Sequence, residues 1–452
     1  MSDKYDLIVV GGGPGGMEAA QTAAQKKKRV LIIDKNGWGG TCAHRGCIPT
    51  KALLSCSKSY TDLKKLKRLG VHVDGITVDF MAMKKHRDQM VKIAAMGAQK
   101  GLADAQVETK TGTGEILSPR EVRYVEPSGQ RQLFETKNIL IAWGSEPQLL
   151  PDIKTSERIM TSDGILDMTS LPSGMIVVGG SFIGVEYATL FAELGVKVIL
   201  VELLDRILPQ EDKEAAEFLT QELARMGIAV HTSTELISLK ESAGGVVMQV
   251  RKNSETMEMR AGCALFCTGR KPLLRPAELD RLEIKYSSAG IKVDQNMMTT
   301  VRGIYAAGDV TGGMMLAHRA ARQAKAAVEH MYGGSGNLYN ENFIPSVVYS
   351  HPQIARVGYT EERALNEGLS VDVVRSPYSA NIIARTELMG QGFVKAVFHQ
   401  DKIIGAVILG DYASDLISGL ALAVAGQLTR KQLRLWVIPH PTLSEIFAPL
   451  IA

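Results

Sequence analysis

Cysteine is scarce, with five in 452 residues. Five thiols in a chain this long do not make a disulfide framework, so a reducing compartment, the cytosol, is expected. Paired metal-ligand spacings such as CxxC or HxxxH are absent, and no metal site is expected. The surplus of positive charge is small, +4, and no long basic run makes a case for nucleic acid. The densest run, KKKR at 26–29, closes a predicted helix just before an apolar strand and reads as a solvated helix C-terminus. The most apolar tract, 403–427, is broken by Asp411 and Asp415, so no membrane span is expected there. The opening MSDKYDLIVVGGG enters a strand without the apolar core and cleavage site of a signal peptide, which points to a soluble protein.

A chain of this length is too long for one ordinary core, and two to four domains are expected. Residues 5–34 read as strand, glycine turn, helix and strand, and Gly11, Gly13 and Gly16 fit G-x-G-x-x-G. That spacing serves a tight turn, close approach of a pyrophosphate and close packing of helix on strand. Asp34, ending the second strand, is placed to accept hydrogen bonds from a ribose. A second copy follows at 175–202 and aligns without gaps: Gly11 with Gly179, Gly16 with Gly184, Glu18 with Glu186 and Asp34 with Glu202. Ser181 stands where the middle glycine would be. Glu202 favours NAD, because a carboxylate there binds a free 2′-hydroxyl and repels the extra phosphate of NADP; no Arg pair follows at 203–205. Two dinucleotide units imply an α/β fold with two Rossmann-like domains.

Between the copies lies GGTCAHRGCIPTK, 39–51. Cys42 and Cys47 open a segment rich in Ala, Leu and Lys, which suggests a redox disulfide on a helix. Five helical steps rise about 7.5 Å, whereas a disulfide wants Cα atoms about 4.4–6.8 Å apart. The helix is therefore expected to be tightened or broken, most easily at Gly46, and a strained bond is easily reduced. Two idle thiols are the bland alternative. Residues 52–100 carry helix-period apolar stripes, expected to pack on the first domain, and 107–145 alternate as short strands. Cys263 and Cys267 share one face of an apolar strand and read as buried residues, not a second redox pair.

GGTCxxxGCIPxK resembles the flavin-dependent pyridine nucleotide–disulfide oxidoreductases, which include dihydrolipoyl dehydrogenase, glutathione reductase and mercuric reductase. The resemblance runs nearly end to end. It implies FAD binding by residues 1–144 and 271–335, NAD binding by 145–270, and a C-terminal α+β dimerisation domain at 336–452, set off by the glycine-rich break at 333–337. For FAD it implies Gly11, Gly13, Pro14, Gly15, Gly16, Asp34, Lys35, Gly40, Thr41, Lys51, Gly114, Ala142, Gly144, Ser145, Asp309, Met315, Leu316, Ala317 and His318. Asp309 would meet the ribityl chain, and the helix from Met315–His318 would aim its N-terminal dipole at the flavin. For NAD it implies Gly179, Gly180, Ser181, Phe182, Ile183, Gly184, Glu186, Glu202, Leu236 and Gly269.

The resemblance also makes His440 of HPTLSE (440–445) the acid–base catalyst and Glu445 the group orienting its imidazole, delivered across a homodimer interface. Lys51, one turn beyond Cys47, would pair with Glu186 and lower a thiolate's pKa. Within the family the favoured expectation is dihydrolipoyl dehydrogenation with NAD⁺, serving dihydrolipoyl groups of a 2-oxoacid dehydrogenase or glycine cleavage complex. A reductase of another disulfide, glutathione-like, is the runner-up, and a non-catalytic flavoprotein scaffold a third reading. Mercuric reductase is disfavoured by the missing C-terminal cysteine pair. Four features depart from the family pattern: AHR between the cysteines instead of LNV, Trp143 where ATGS is usual, Ile438–Pro439 before His440 in place of HxH, and a short tail after Glu445.

Overall fold

The computed structural model describes residues 4–334 and 339–451. Two compact units emerge: Met1–Ala52 with Lys84–Gln148 and Arg270–Glu341, and Leu53–Met83 with Leu149–Gly269 and Asn342–Ala452. Of the glycine-rich break, residues 335–337 lie outside the described residues.

In the first unit the strands Glu108–Thr111, Val30–Asp34, Lys4–Val10, Arg131–Ile141 and Ile304–Ala306 lie side by side in parallel. Side chains alternate across this sheet. Leu7 and Val9 enter one core with Ala19, Ala20, Ala23, Ala324 and Ala327; Ile8 and Val10 enter the other with Leu31, Ile33, Ile139 and Ile141. With both faces covered, DLIVV and RVLIID must be continuously apolar, each buried branched residue contributing roughly 1.5–3 kcal/mol over exposure. The alanines let the helices Pro14–Gln25 and Ala317–Met331 approach the same face closely. The strands Thr113–Ser118 and Glu121–Val125 extend Arg131–Ile141 as an antiparallel meander.

The second unit repeats the parallel arrangement in Ala229–His231, Lys197–Val201, Gly174–Val178, Cys263–Phe266 and Ile159–Thr161. A three-stranded antiparallel sheet follows, Glu235–Ser242, Gly245–Lys252 and Glu255–Ala261. The C-terminal segment forms a five-stranded antiparallel sheet ordered Ser346–Val348, Gln353–Gly358, Lys402–Gly410, Phe393–His399, Asp372–Pro377, backed by the helix Ala413–Ala425. The edge strand Asp372–Pro377 was not expected; its pattern DVVRSP mixes polar and apolar residues without the long apolar run that marks the central strands. Lys395 on a central strand is 2% exposed, and its ammonium is held by Asp212 at 2.7 Å, Glu214 at 3.1 Å and Glu361 at 3.5 Å. A charge so deeply buried is tolerated only when paired in this way.

The span expected to pack on the first domain divides instead. The helix Cys47–Lys65 crosses from one unit to the other, Val78, Phe80 and Met83 pack on the second unit's core, and Ala98 and Leu102 on the first unit's. The helix Phe80–Asp104 leaves Met81, Ile93 and Met96 exposed. Among the described residues no helix is long and apolar enough to cross a membrane, and no cluster of His, Cys, Asp and Glu is arranged to hold a metal ion.

Candidate active site

The two glycine loops are near-duplicates in their hydrogen bonding. Gly11 N–H donates to the Ile33 carbonyl and Gly179 N–H to that of Val201, both at 2.8 Å. Gly12 N–H donates to Asp34 Oδ2 at 2.7 Å, and Gly180 N–H to Glu202 Oε2 at 2.6 Å. The other carboxylate oxygens accept from Asn36 N–H and Leu204 N–H, each at 2.7 Å. Each carboxylate thus stiffens its loop and keeps lone pairs for a ribose hydroxyl. Gly11 has φ +122°, and a Cβ there would lie 2.0 Å from the Ala142 carbonyl oxygen. A Cβ on Gly16 would sit 1.9 Å from Gly11 O, and one on Gly184 2.0 Å from Gly179 O. Glycine is demanded by contact at all of these positions.

The loops differ at their helix starts. Gly13 begins the helix Pro14–Gln25 with no side chain to cap it and with open space where a Cβ would point. Its first amides, with Pro14 at the first position and Gly15 buried against Ala320, could cradle a pyrophosphate. In the second loop Ser181 Oγ donates to the Cys267 carbonyl at 2.9 Å and accepts from Gly184 N–H at 3.4 Å. The serine is therefore a helix cap as well as a small residue beside the loop, and Phe182 and Ile183 form the first turn. Leu236 packs on the core beneath the antiparallel sheet, and Gly269 follows Cys267 with φ +111°. Both Cys263 and Cys267 are buried, the first with its thiol pushed up to about 11 by burial, which fits inert core residues. Arg206, the first arginine after Glu202, is bound to Glu362 at 2.9 Å and to the Pro209 carbonyl.

Around the cysteines the helix is broken. A short helix Gly40–His44 carries Thr41 and Cys42, a turn passes through Arg45 and Gly46, and a new helix starts at Cys47. Gly46 is not in the left-handed region; what it needs is room, since a Cβ would sit 3.2 Å from Thr41 O. Gly40 does adopt positive φ, +56°, and passes Gly13 so closely that a Cβ would lie 2.6 Å from its Cα. The cysteine segment and the first glycine loop are thereby pressed together. All five cysteines are unlinked, and the Cys42 thiol hydrogen-bonds with Cys47. That bond, burial and the charge of Cys47 push the Cys42 thiol strongly up, Lys51 pulls it down and Asp309 pushes it up. Cys42, Cys47, Lys51 and Asp309 are thus one electrostatic cluster. His44 turns away from it, with Nε2 bound to the Trp38 carbonyl at 2.9 Å.

Asp309 accepts a 2.6 Å hydrogen bond from Ser145 Oγ, and that hydroxyl accepts from Arg270 Nε at 2.8 Å. Gly144 (φ +79°) accepts from Leu273 N–H, and Ala142 N–H donates to Val10. Arg270 was not expected from the sequence; its only signal is a basic residue three positions after the buried Cys267. Gly114 offers its carbonyl to Arg275 Nη1 at 2.7 Å, a second arginine not anticipated. The helix Ala317–Met331 starts after Met315 and Leu316 without a side-chain cap, and His318 is exposed in its first turn. Lys35 is exposed just beyond Asp34.

In the second unit, Glu186 is buried on the helix Phe182–Glu193 and accepts from Tyr349 N–H at 3.1 Å. His440 Nδ1 lies 2.8 Å from Glu445 Oε1, while Glu445 Oε2 accepts from Thr442 N–H at 3.1 Å. The bond to His440, then that to Thr442, holds the Glu445 carboxyl below its usual range. Asn381 Nδ2 donates to the Thr442 and Leu443 carbonyls and so fixes the loop. An imidazole bonded at Nδ1 to a carboxylate presents Nε2 for proton exchange. The His440 side chain is 76% exposed.

Residues 5–324 match the family model described as pyridine nucleotide-disulphide oxidoreductase, and 344–451 match the dimerisation domain of the same family. Dihydrolipoyl dehydrogenase of Chlamydia pneumoniae is 35% identical, covering 99% of this chain and 96% of the relative, and that of Geobacillus stearothermophilus 36% over 98% and 94%. Among solved structures, LpdA from Mycobacterium tuberculosis superposes with a TM-score of 0.92 at 28% identity, covering 99% and 98% of the two chains. The HOCl-induced flavoprotein disulfide reductase RclA from Escherichia coli gives 0.86 at 25%, covering 99% of each. With a duplicated dinucleotide loop, a contacting cysteine pair and matches across both segments, the chain belongs to the pyridine nucleotide–disulphide oxidoreductases, flavoproteins that use FAD and NAD(H).

Proposed function

We propose that this enzyme oxidises dihydrolipoyl groups with NAD⁺ through Cys42 and Cys47. The observation that carries the reading is the contact of the two cysteines inside the cluster with Lys51 and Asp309, in the unit that also holds the uncapped glycine loop. In the oxidised protein a substrate thiolate attacks Cys42 of the disulfide, and Cys47 leaves as a thiolate. The second substrate thiolate then displaces Cys42, which closes the substrate disulfide and leaves the protein as a dithiol. His440 takes the substrate protons, and Glu445 holds its tautomer and stabilises the imidazolium. Lys51 favours the thiolate electrostatically, with Glu186 as its expected partner. Bound FAD supplies the two-electron acceptor between that dithiol and the nicotinamide. Asp34, Gly11, Gly13–Gly16, Gly40–Thr41, Gly114, Ala142, Gly144–Ser145, Asp309 and Met315–His318 hold it, while Gly179–Gly184, Glu202, Leu236 and Gly269 hold NAD.

The working form is a homodimer in which residues 336–452 pair two copies. The exposure of His440 beside exposed Leu435 and Val437 supports this, since a proton-transfer site needs cover from water. Dihydrolipoyl groups carried by a 2-oxoacid dehydrogenase or glycine cleavage complex are the natural substrates, in the cytoplasm. A second reading, reduction of another small disulfide, is favoured by AHR between the cysteines and by Ile438–Pro439 before His440. Steady-state assays of NADH and NADPH against lipoamide and oxidised glutathione separate the two. Lipoamide turnover with NADH is expected, and Cys42→Ser abolishes it while retaining the flavin. Turnover of glutathione with NADPH and none of lipoamide would select the second reading.

A further inference from the structure

Glu193 is a buried acid that the thiol exchange and the two glycine loops leave without a task. It ends the helix Phe182–Glu193, and its side chain is 2% exposed. An acid is costly to bury, and the end of a helix adds a dipole of the same sign, so the position demands strong partners. Ser57 Oγ–H donates to its Oε2 at 2.5 Å, and His351 Nδ1 lies 2.7 Å from its Oε1. Ser57 is itself fully buried, ten positions after Cys47 on one continuous helix. His351 belongs to the loop that also gives the Tyr349 N–H to Glu186, two turns before Glu193. One loop thus meets both acids of that helix, and the second acid reaches on to the cysteine helix.

We propose that Glu193, with Ser57 and His351, is a positioning group for the thiol exchange, fixing the register of the long cysteine helix so that Cys47 and Lys51 stay against Cys42. The need arises from the break at Arg45–Gly46. Cys42 sits on the short helix Gly40–His44, whereas Cys47 and Lys51 ride on the helix Cys47–Lys65. Cys42 hydrogen-bonds with Cys47 and feels the charge of Lys51, so a slide or roll of the long helix changes both. Leu53 and Leu54 hold that helix by burial in the second unit's core, but apolar contact is non-directional and resists a roll only weakly. Ser57, three residues after Leu54 and on the same face, adds a directional bond to an acid that His351 keeps in place. A rigid helix carries that constraint about 15 Å along its axis to Cys47. The inference rests on the reading of Cys42 and Cys47 as the exchanging pair.

The test compares wild type with Ser57→Ala, His351→Asn, Glu193→Leu and Glu193→Gln, all as flavin-loaded enzyme. Two turnovers are read with NADH: lipoamide, which needs the cysteine pair, and a small quinone, which takes electrons from the flavin without it. Each of the first three variants should lower kcat for lipoamide about three- to tenfold, with KM and quinone turnover unchanged. Glu193→Gln keeps an acceptor for Ser57 and a bond to His351, and should recover most of the loss. In the dithiol-reduced protein, iodoacetamide alkylation is followed on the peptide holding Cys42 and Cys47. Its pH midpoint should move by about half a unit in S57A. If E193L fails to fold, S57A and H351N decide the matter. Wild-type kcat and midpoint in every variant overturn the proposal. Equal falls in both turnovers with an unmoved midpoint make the contact one of packing and overturn it as well. A wild type that turns over no lipoamide defeats the dihydrolipoyl reading, and the alkylation midpoint still decides this one.

Discussion

His440 and Glu445 are five residues apart, yet their chemistry depends on a loop that folds one onto the other within 2.8 Å. The Glu445 carboxyl is held below its usual range, first by His440 and then by the Thr442 amide. A lowered carboxyl contributes its contact fully above the ordinary carboxylate range and loses it as pH falls through the lowered value. The histidine should therefore keep its orientation into mild acid. His440→Gln is expected to lower kcat by about 10²–10⁴ with flavin retained. Glu445→Gln should reduce kcat less and shift the kcat/KM pH profile, because the amide cannot stabilise an imidazolium. Equal profiles for wild type and E445Q would remove Glu445 from catalysis. The same scale exposes a limit of reading composition. Arg270, Arg275 and Ser181 are ordinary residues in the chain, and only their partners Ser145, Gly114 and Cys267 give them meaning.

At the scale of elements, the duplicated strand–loop–helix–strand unit was legible in every particular that depends on spacing. The gapless alignment of Gly11, Gly16 and Asp34 with Gly179, Gly184 and Glu202 reappears as matched hydrogen bonds. Matched geometry with different ligands yields a paired test. Gly16→Ala puts a methyl 1.9 Å from a carbonyl oxygen in the first loop and should cost bound flavin, read as lost flavin absorbance. Gly184→Ala makes the same clash in the second loop and should keep the flavin while raising KM for NADH tenfold or more. Flavin loss in G184A and not in G16A would reverse the assignment of the two loops. The cysteine helix was read correctly as interrupted, though for a different reason at Gly46. Distance arithmetic along a helix requires a break between Cys42 and Cys47; the nearby Thr41 carbonyl, which decides what residue can stand at the turn, is invisible to such arithmetic.

Across the whole molecule, the exposed apolar residues Leu422, Leu435 and Val437, the last 88% exposed, belong to the segment that matches the family's dimerisation domain. Sedimentation of the purified enzyme should give a dimer. Val437→Asp with Leu435→Asp should weaken it, and lipoamide turnover should fall with the fraction dimeric while flavin stays bound. Full activity of a monomeric variant would separate catalysis from pairing. By itself the sequence determined the two dinucleotide loops, the redox pair and the parallel sheets, since glycine spacing, alternating burial and strand-end carboxylates are local and recur at fixed intervals. Only the tertiary structure decided how 52–100 is shared between two cores and how Lys395 is neutralised by three carboxylates. Each of those rests on contacts between residues far apart in the chain, and no periodicity encodes a contact of that kind.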